Sequence, residues 1–206
     1  MDRPVLEASD LAKSFSGSPL FDGLSFRAES GLTAVTGPNG SGKTTLLKIL
    51  GSLARPSSGR VRILRANVEL AGEERRAAVG WAGPDLDFYD DFTALENLVF
   101  FRRIAGGRRD DASLRDLLGR IGLMGPDRRV GAFSTGMKQR LRVAFAFLGD
   151  PPIVLLDEPY ASLDAEGRGR AERLIAEKCS VGAVVVASND AADFAGAARV
   201  ISLGAA

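Results

Sequence analysis

The sequence predicts an α/β fold in which a strand-and-helix core is interrupted by a helical insertion. Three observations predict it. Short apolar runs at 32–36, 153–156, 183–187 and 199–203 have the length of buried strands and are separated by stretches with helical leucine spacing. The first of these runs leads through a glycine-rich loop, GPNGSGKTT, into the helical stretch TLLKILGSL. From Pro84 to Pro151 the texture is helical. The expected organisation is one domain over residues 1–206, with 1–84 and 151–206 as the core and 85–150 as the helical subdomain.

Each element has a local reason. Residues 5–8 and 24–28 alternate apolar and polar side chains, as half-buried strands do. Gly31 breaks the chain before the next strand. RPSSG (55–59) is a turn into the strand RVRIL, and 79–82 is a short strand. Thr93, with Glu96 three residues later, forms a capping box that opens the helix TALENLVFFRRI. AGGRRDD is a polar loop, followed by the amphipathic helices SLRDLLGRIGLM and GMKQRLRVAFAFLG. EGRGRAERLIAEKC is the helix between the strands IVLL and AVVVA. Phe92, Phe100 and Phe101 read as core aromatics.

Composition narrows the function. With 45% hydrophobic and 26% charged residues the chain is ordinary globular material. A formal net charge of +1 argues against a nucleic-acid surface. The single cysteine, Cys179, excludes an internal disulfide and suits a reducing compartment. No apolar run approaches the ~18 residues of a membrane helix, so a soluble, cytoplasmic chain is expected, reaching a membrane only through partners. Histidine is absent, and glutamine occurs once, at Gln139.

GPNGSGKTT, residues 37–45, satisfies the phosphate-cradle pattern G-x-x-x-x-G-K-[ST] in its required context of strand, loop and helix. Glycines let backbone N–H groups turn toward phosphate oxygens, and the helix N-terminus adds positive potential. Lys43 reaches the β- and γ-phosphates, and the Thr44 hydroxyl is a ligand for Mg²⁺. Asn39, Gly40, Ser41, Gly42 and Thr45 complete the cradle. IVLLDEP (153–159) is a buried strand ending on Asp157, suited to holding Mg²⁺ through water, and Glu158, suited to orienting or deprotonating a water. Two acids at a strand end are ordinarily just solvated; a phosphate cradle in the same chain gives them a purpose. The chemistry implied is binding of a nucleoside triphosphate with Mg²⁺.

FSTGMKQR (133–140), shortly before IVLLDEP, resembles the signature motif of ABC-type ATPases, in a form similar to that of exporters. Cradle, signature, Asp-Glu strand and SLD (162–164) follow the family's order over essentially the whole chain. The resemblance implies a P-loop NTPase fold, with a RecA-like core, an antiparallel β region and an inserted helical subdomain. It implies a head-to-tail dimer with a second ATPase subunit, identical or related, on separate transmembrane permease subunits. Ser134 and Gly136 are then expected to bind the γ-phosphate of the partner's ATP, Asp164 to bridge the dimer, and Phe15 to stack on adenine. Short length, TALENLVFF and RVISL resemble the haem-exporter ATPase of cytochrome c maturation, the alternative to a general exporter.

Two positions depart from the family pattern. Pro84 stands where the family usually has a glutamine near Mg²⁺, with Asp85 or Asp87 as the nearby groups able to reach the metal. Asn189, after the strand AVVVA, stands where the family usually has a histidine on the γ-phosphate. Asparagine donates a hydrogen bond but carries no positive charge, so a competent but slow site is expected, with Glu158, Lys43 and Asn189 as the catalytic set. A regulatory module without turnover, and a soluble relative acting in translation or DNA repair, are the competing functions. Proteins of the second kind carry two cassettes or long coiled-coil insertions, and this sequence shows neither.

Overall fold

In the computed structural model, residues 3–15, 18–106, 111–123 and 128–204 are described. The elements in chain order are β1 (Val5–Phe15), β2 (Ser18–Ala28), β3 (Gly31–Thr36), α1 (Lys43–Leu50), β4 (Ser58–Arg65) and β5 (Val68–Glu69). Then follow α2 (Gly72–Ala77), β6 (Val79–Ala82), α3 (Ala94–Ala105), α4 (Asp111–Arg120), α5 (Thr135–Ala146), β7 (Ile153–Asp157), α6 (Ala165–Val181), β8 (Ala183–Ala187) and β9 (Arg199–Ser202). An antiparallel sheet runs β2-β1-β4-β5, and a parallel sheet runs β6-β7-β8-β3-β9.

The parallel sheet is buried on both faces, which is why β7 and β8 are apolar at nearly every position. Alternate side chains serve different cores. Val154, Leu156, Val184 and Val186 join a cluster with Leu98, Leu117, Leu141 and Leu174 from the helices. Ile153, Leu155 and Val185 join a second cluster with Leu46, Leu47 and Leu50 of α1 and Leu6, Leu11 and Ile63 of the antiparallel sheet.

Pairing places Asp157 opposite Ala187, and Ala187 opposite Val35. The carboxyl ends of β7, β8 and β3 therefore stand side by side, the usual place for a ligand in a parallel α/β sheet.

Several expected elements differ in extent. β1 continues to Phe15 instead of ending at Ala8, because register shifts after Ala8 and Leu11 break the alternation that marks a strand. α2 lacks any buried residue, which is why no apolar period announces it. Residues 84–92, expected to be helical, form an irregular connection held by α3. The helix expected over 113–124 is α4, with 121–123 outside it and Met124 outside the described residues. Residues 107–110 of the AGGRRDD loop also lie outside the described residues. Phe101 packs edge-on against Phe145 at 5.1 Å, whereas Phe92, expected in the core, is 37% exposed beside Tyr89. The capping box forms as expected: Glu96 Oε2 accepts from Thr93 N at 2.7 Å, and Thr93 Oγ1 from Glu96 N at 3.2 Å.

Asn97 holds the 84–92 connection. Fully buried, it accepts from Tyr89 N at 2.8 Å and donates to Tyr89 O and Thr93 O, each at 3.0 Å. Asn97→Ala strips these partners and leaves a cavity. Chemical denaturation is expected to show a loss of about 2 kcal/mol; an unchanged midpoint would mean that water replaces the amide at no cost.

Candidate active site

The loop from Gly37 to Gly42 leaves β3 and enters α1. Gly37 has φ +153, and a Cβ there would lie 2.5 Å from Leu203 O and 2.6 Å from Ser41 Oγ, so only glycine lets the loop pass the end of the parallel sheet. Gly42, at φ +97, is the N-cap of α1 and provides no side-chain cap, which leaves the first-turn N–H groups of the helix to a ligand. Ser41 Oγ is buried there with no hydrogen-bond partner.

Lys43 starts α1 and is almost entirely buried. Its ammonium donates to Gly37 O at 2.8 Å, Pro38 O at 3.2 Å and Asn189 Oδ1 at 2.5 Å. Asn189 Nδ2 donates in turn to Asn39 Oδ1 at 2.6 Å. Asn189 thus grips the cradle with both ends of its amide, one on the lysine and one on the loop.

Thr44 Oγ1 donates to Asp157 Oδ2 at 2.5 Å, which joins two hard oxygens at the end of β7. Burial pushes the Asp157 carboxyl up from its ordinary value, against the Thr44 bond and the Lys43 charge. Glu158 follows at φ 47, a left-handed conformation costing about 1–2 kcal/mol, with its N–H on Ala187 O at 2.8 Å. Burial raises its carboxyl too, opposed by a hydrogen bond from Ser188 and by Lys43, and assisted by Asp157 and Asp193. Ser188 Oγ lies 3.1 Å from Glu158 Oε2 and 2.5 Å from Asp193 Oδ2, and Asp193 accepts from Arg168 at 2.5 Å.

Phe15, Asn39, Gly40, Gly42, Lys43, Thr44, Thr45, Asp157 and Glu158 line one cavity of about 320 Å³, together with Leu20. Phe15 is 55% exposed, with the Lys13 ammonium 4.7 Å from its ring centre. Ser134, Gly136 and Asp164 do not line this cavity. Ser134 caps α5 by accepting from Met137 N at 3.2 Å, and Asp164 caps α6 by accepting from Gly167 N at 2.8 Å. Asp85 is turned to Lys48 at 2.9 Å, and Asp87 is almost fully exposed, so neither expected metal-side acid lines the cavity.

The family model described as "ABC transporter" matches residues 21–161. A cytochrome c biogenesis ATP-binding export protein CcmA from Alkalilimnicola ehrlichii is 41% identical over 191 residues, covering 89% of this chain and 79% of that protein. The CcmA of Pseudomonas fluorescens is 35% identical, covering 90% and 89%. The chain belongs to the ABC transporter family. It is an ATP-binding and ATP-hydrolysing subunit of that family. A solved dimeric bacterial ABC transporter cassette shares its fold, with a TM-score of 0.84, 24% identity and coverage of 97% of this chain and 94% of that one.

For an ABC subunit, the residues that motif reading misses are those acting from behind the cavity. Leu20 abuts Gly42 from the antiparallel sheet. Ser188 was detectable as the neighbour of Asn189, but its bridge from Glu158 to Asp193 depends on how the chain turns after β8. Gln139 was conspicuous as the one glutamine, with nothing in its local sequence to say what it touches.

Gly37→Ala forces the cradle off Leu203 or displaces Ser41. Equilibrium binding is expected to show ATP affinity reduced at least about tenfold, the equivalent of about 1.4 kcal/mol. Wild-type affinity would show that the loop yields without cost.

Proposed function

We propose that this chain hydrolyses ATP with Mg²⁺ as one half of a head-to-tail dimer, driving export through separate transmembrane subunits at the cytoplasmic face of a membrane. The observation that carries the reading is the meeting of Lys43 and Thr44 with Asp157 and Glu158 in one cavity. Among the described residues no helix is long and apolar enough to cross a membrane, so the translocation path belongs to partners. The exposed Tyr89, Phe92 and Ile104 of the α3 region offer those partners an apolar edge.

The residues divide the work. The α1 N-terminus and the loop amides receive the phosphates, and Phe15 lies where it can stack on the base. Lys43 exchanges its bond to Asn189 Oδ1 for a phosphate oxygen, and Asn189 Nδ2 leaves Asn39 Oδ1 to donate to the γ-phosphate. Thr44 and Asp157 would hold Mg²⁺, which would supply neutralisation of phosphate charge. Glu158 accepts the proton of the attacking water, with Ser188 steadying its carboxylate. Ser134, Gly136 and Asp164, which lie outside the chain's own cavity, serve the junction with the second ATPase subunit, identical or related, the first two toward the γ-phosphate held by that subunit.

The similarity to the two CcmA proteins favours the cytochrome c biogenesis branch, with haem export as its substrate class, over a general exporter. Pro84 and Asn189 favour slow turnover, because the neutral amide of Asn189 makes a weaker phosphate contact than an imidazolium.

Glu158→Gln is expected to lower ATP turnover at least about a hundredfold while leaving ATP binding intact. Asn189→His is expected to raise kcat severalfold. Full turnover by Glu158→Gln would remove that residue from the mechanism. Recovery of ribosomes or DNA, and no membrane protein, from detergent extract would remove the transporter reading.

A further inference from the structure

We propose that Gln139 and Arg142 are positioning residues that set the backbone of Glu158 from the signature helix and couple it to the connection following Pro84. The inference rests on Glu158 being the catalytic base. Gln139 is 8% exposed, and a carboxamide so buried is costly unless its polar atoms are satisfied. Here they are: Nε2 donates to Glu158 O at 3.0 Å and Pro159 O at 3.2 Å, and Oε1 faces Arg142 Nη1 at 3.5 Å.

Those two carbonyls belong to the strained end of β7. Glu158 adopts φ 47, and its N–H is held by Ala187 O on β8. Gln139 supplies the opposite anchor, on the carbonyl side of the same residue. With both ends pinned, the carboxylate is aimed by the backbone. Without Gln139 the carbonyl keeps only the 3.2 Å bond from Ala161 N, within its own turn, so the left-handed residue relaxes and the carboxylate moves with it. Misplacement by about 1 Å is enough to cost about a hundredfold in rate.

Arg142 extends this support. Its Nε donates to Leu86 O at 2.9 Å, two residues past Pro84, the position that departs from the family pattern. The polar path therefore runs from the Leu86 carbonyl through Arg142 and Gln139 to the Glu158 carbonyl. The same helix, α5, begins beside Ser134 and passes so close to Ser162 that a Cβ on Gly136 would lie 2.9 Å from its carbonyl. A shift of α5, or of the 84–92 connection, is thereby transmitted to the backbone that aims Glu158. The single glutamine of the chain lies beneath the base, one step from the loop that lacks one.

The test compares Gln139→Met, close in volume but without donors, with Arg142→Ala, at a partly exposed side chain, and their double variant. ATP turnover, KM, ATP affinity and thermal midpoint are measured for each, with Glu158→Gln in parallel. Gln139→Met is expected to lose at least tenfold in kcat, and Arg142→Ala at least threefold, with KM within twofold. The double variant is expected to fall no further than Gln139→Met, because the two act in series. Wild-type kcat in both single variants, multiplying losses, or kcat and affinity falling together with the thermal midpoint would overturn the proposal. If Glu158→Gln is inactive while Gln139→Met turns over normally, the coupling fails and the base stands. If Glu158→Gln turns over normally, both fail.

Discussion

The hydrogen-bonded register of β7, β8 and β3 is the constraint on which the site depends. It sets Asp157, Ala187 and Val35 abreast, so the residues immediately beyond them converge. A slip of one residue in β7 would exchange the two faces of that strand, moving Leu156 from one core cluster to the other and turning Asp157 away from Thr44. The two clusters on opposite faces of the sheet make such a slip prohibitively costly, since each buried leucine contributes about 2 kcal/mol. Catalytic geometry here is a consequence of hydrophobic pattern.

Within that frame, one amide takes the place of an expected cation. Asn189 joins Lys43 to Asn39 and so keeps the lysine, whose remaining bonds go to Gly37 O and Pro38 O, inside the cradle. A histidine able to protonate would set two positive charges side by side at that point, whereas the asparagine carbonyl accepts from the ammonium. The asparagine thus changes what holds the lysine in the cradle.

The acidic residues show the same trade between burial and support. Asp157 and Glu158 are both pushed toward the protonated form by burial, and each is drawn back by a hydroxyl, Thr44 for one and Ser188 for the other. Ser188 is itself fastened to Asp193, which accepts from Arg168, whose guanidinium lies 4.7 Å from the Tyr160 ring centre. The rear of Glu158 is therefore a connected polar wall, built from residues far apart in the chain.

What the sequence determined by itself was local chemistry. Glycine spacing, Lys43, the Thr93–Glu96 box and the apolar strands each depend on neighbours within a few residues, so their patterns survive in one dimension. β1 beyond Ala8, the 84–92 connection and the exposure of Phe92 were not legible, because bulges, a buried Asn97 and the edge of a cluster are settled by distant partners. Only the tertiary structure decided that Asn189 grips Lys43 and that Gln139 holds Glu158. Those contacts span 146 and 19 residues and exist only once the sheet has brought its strand ends together.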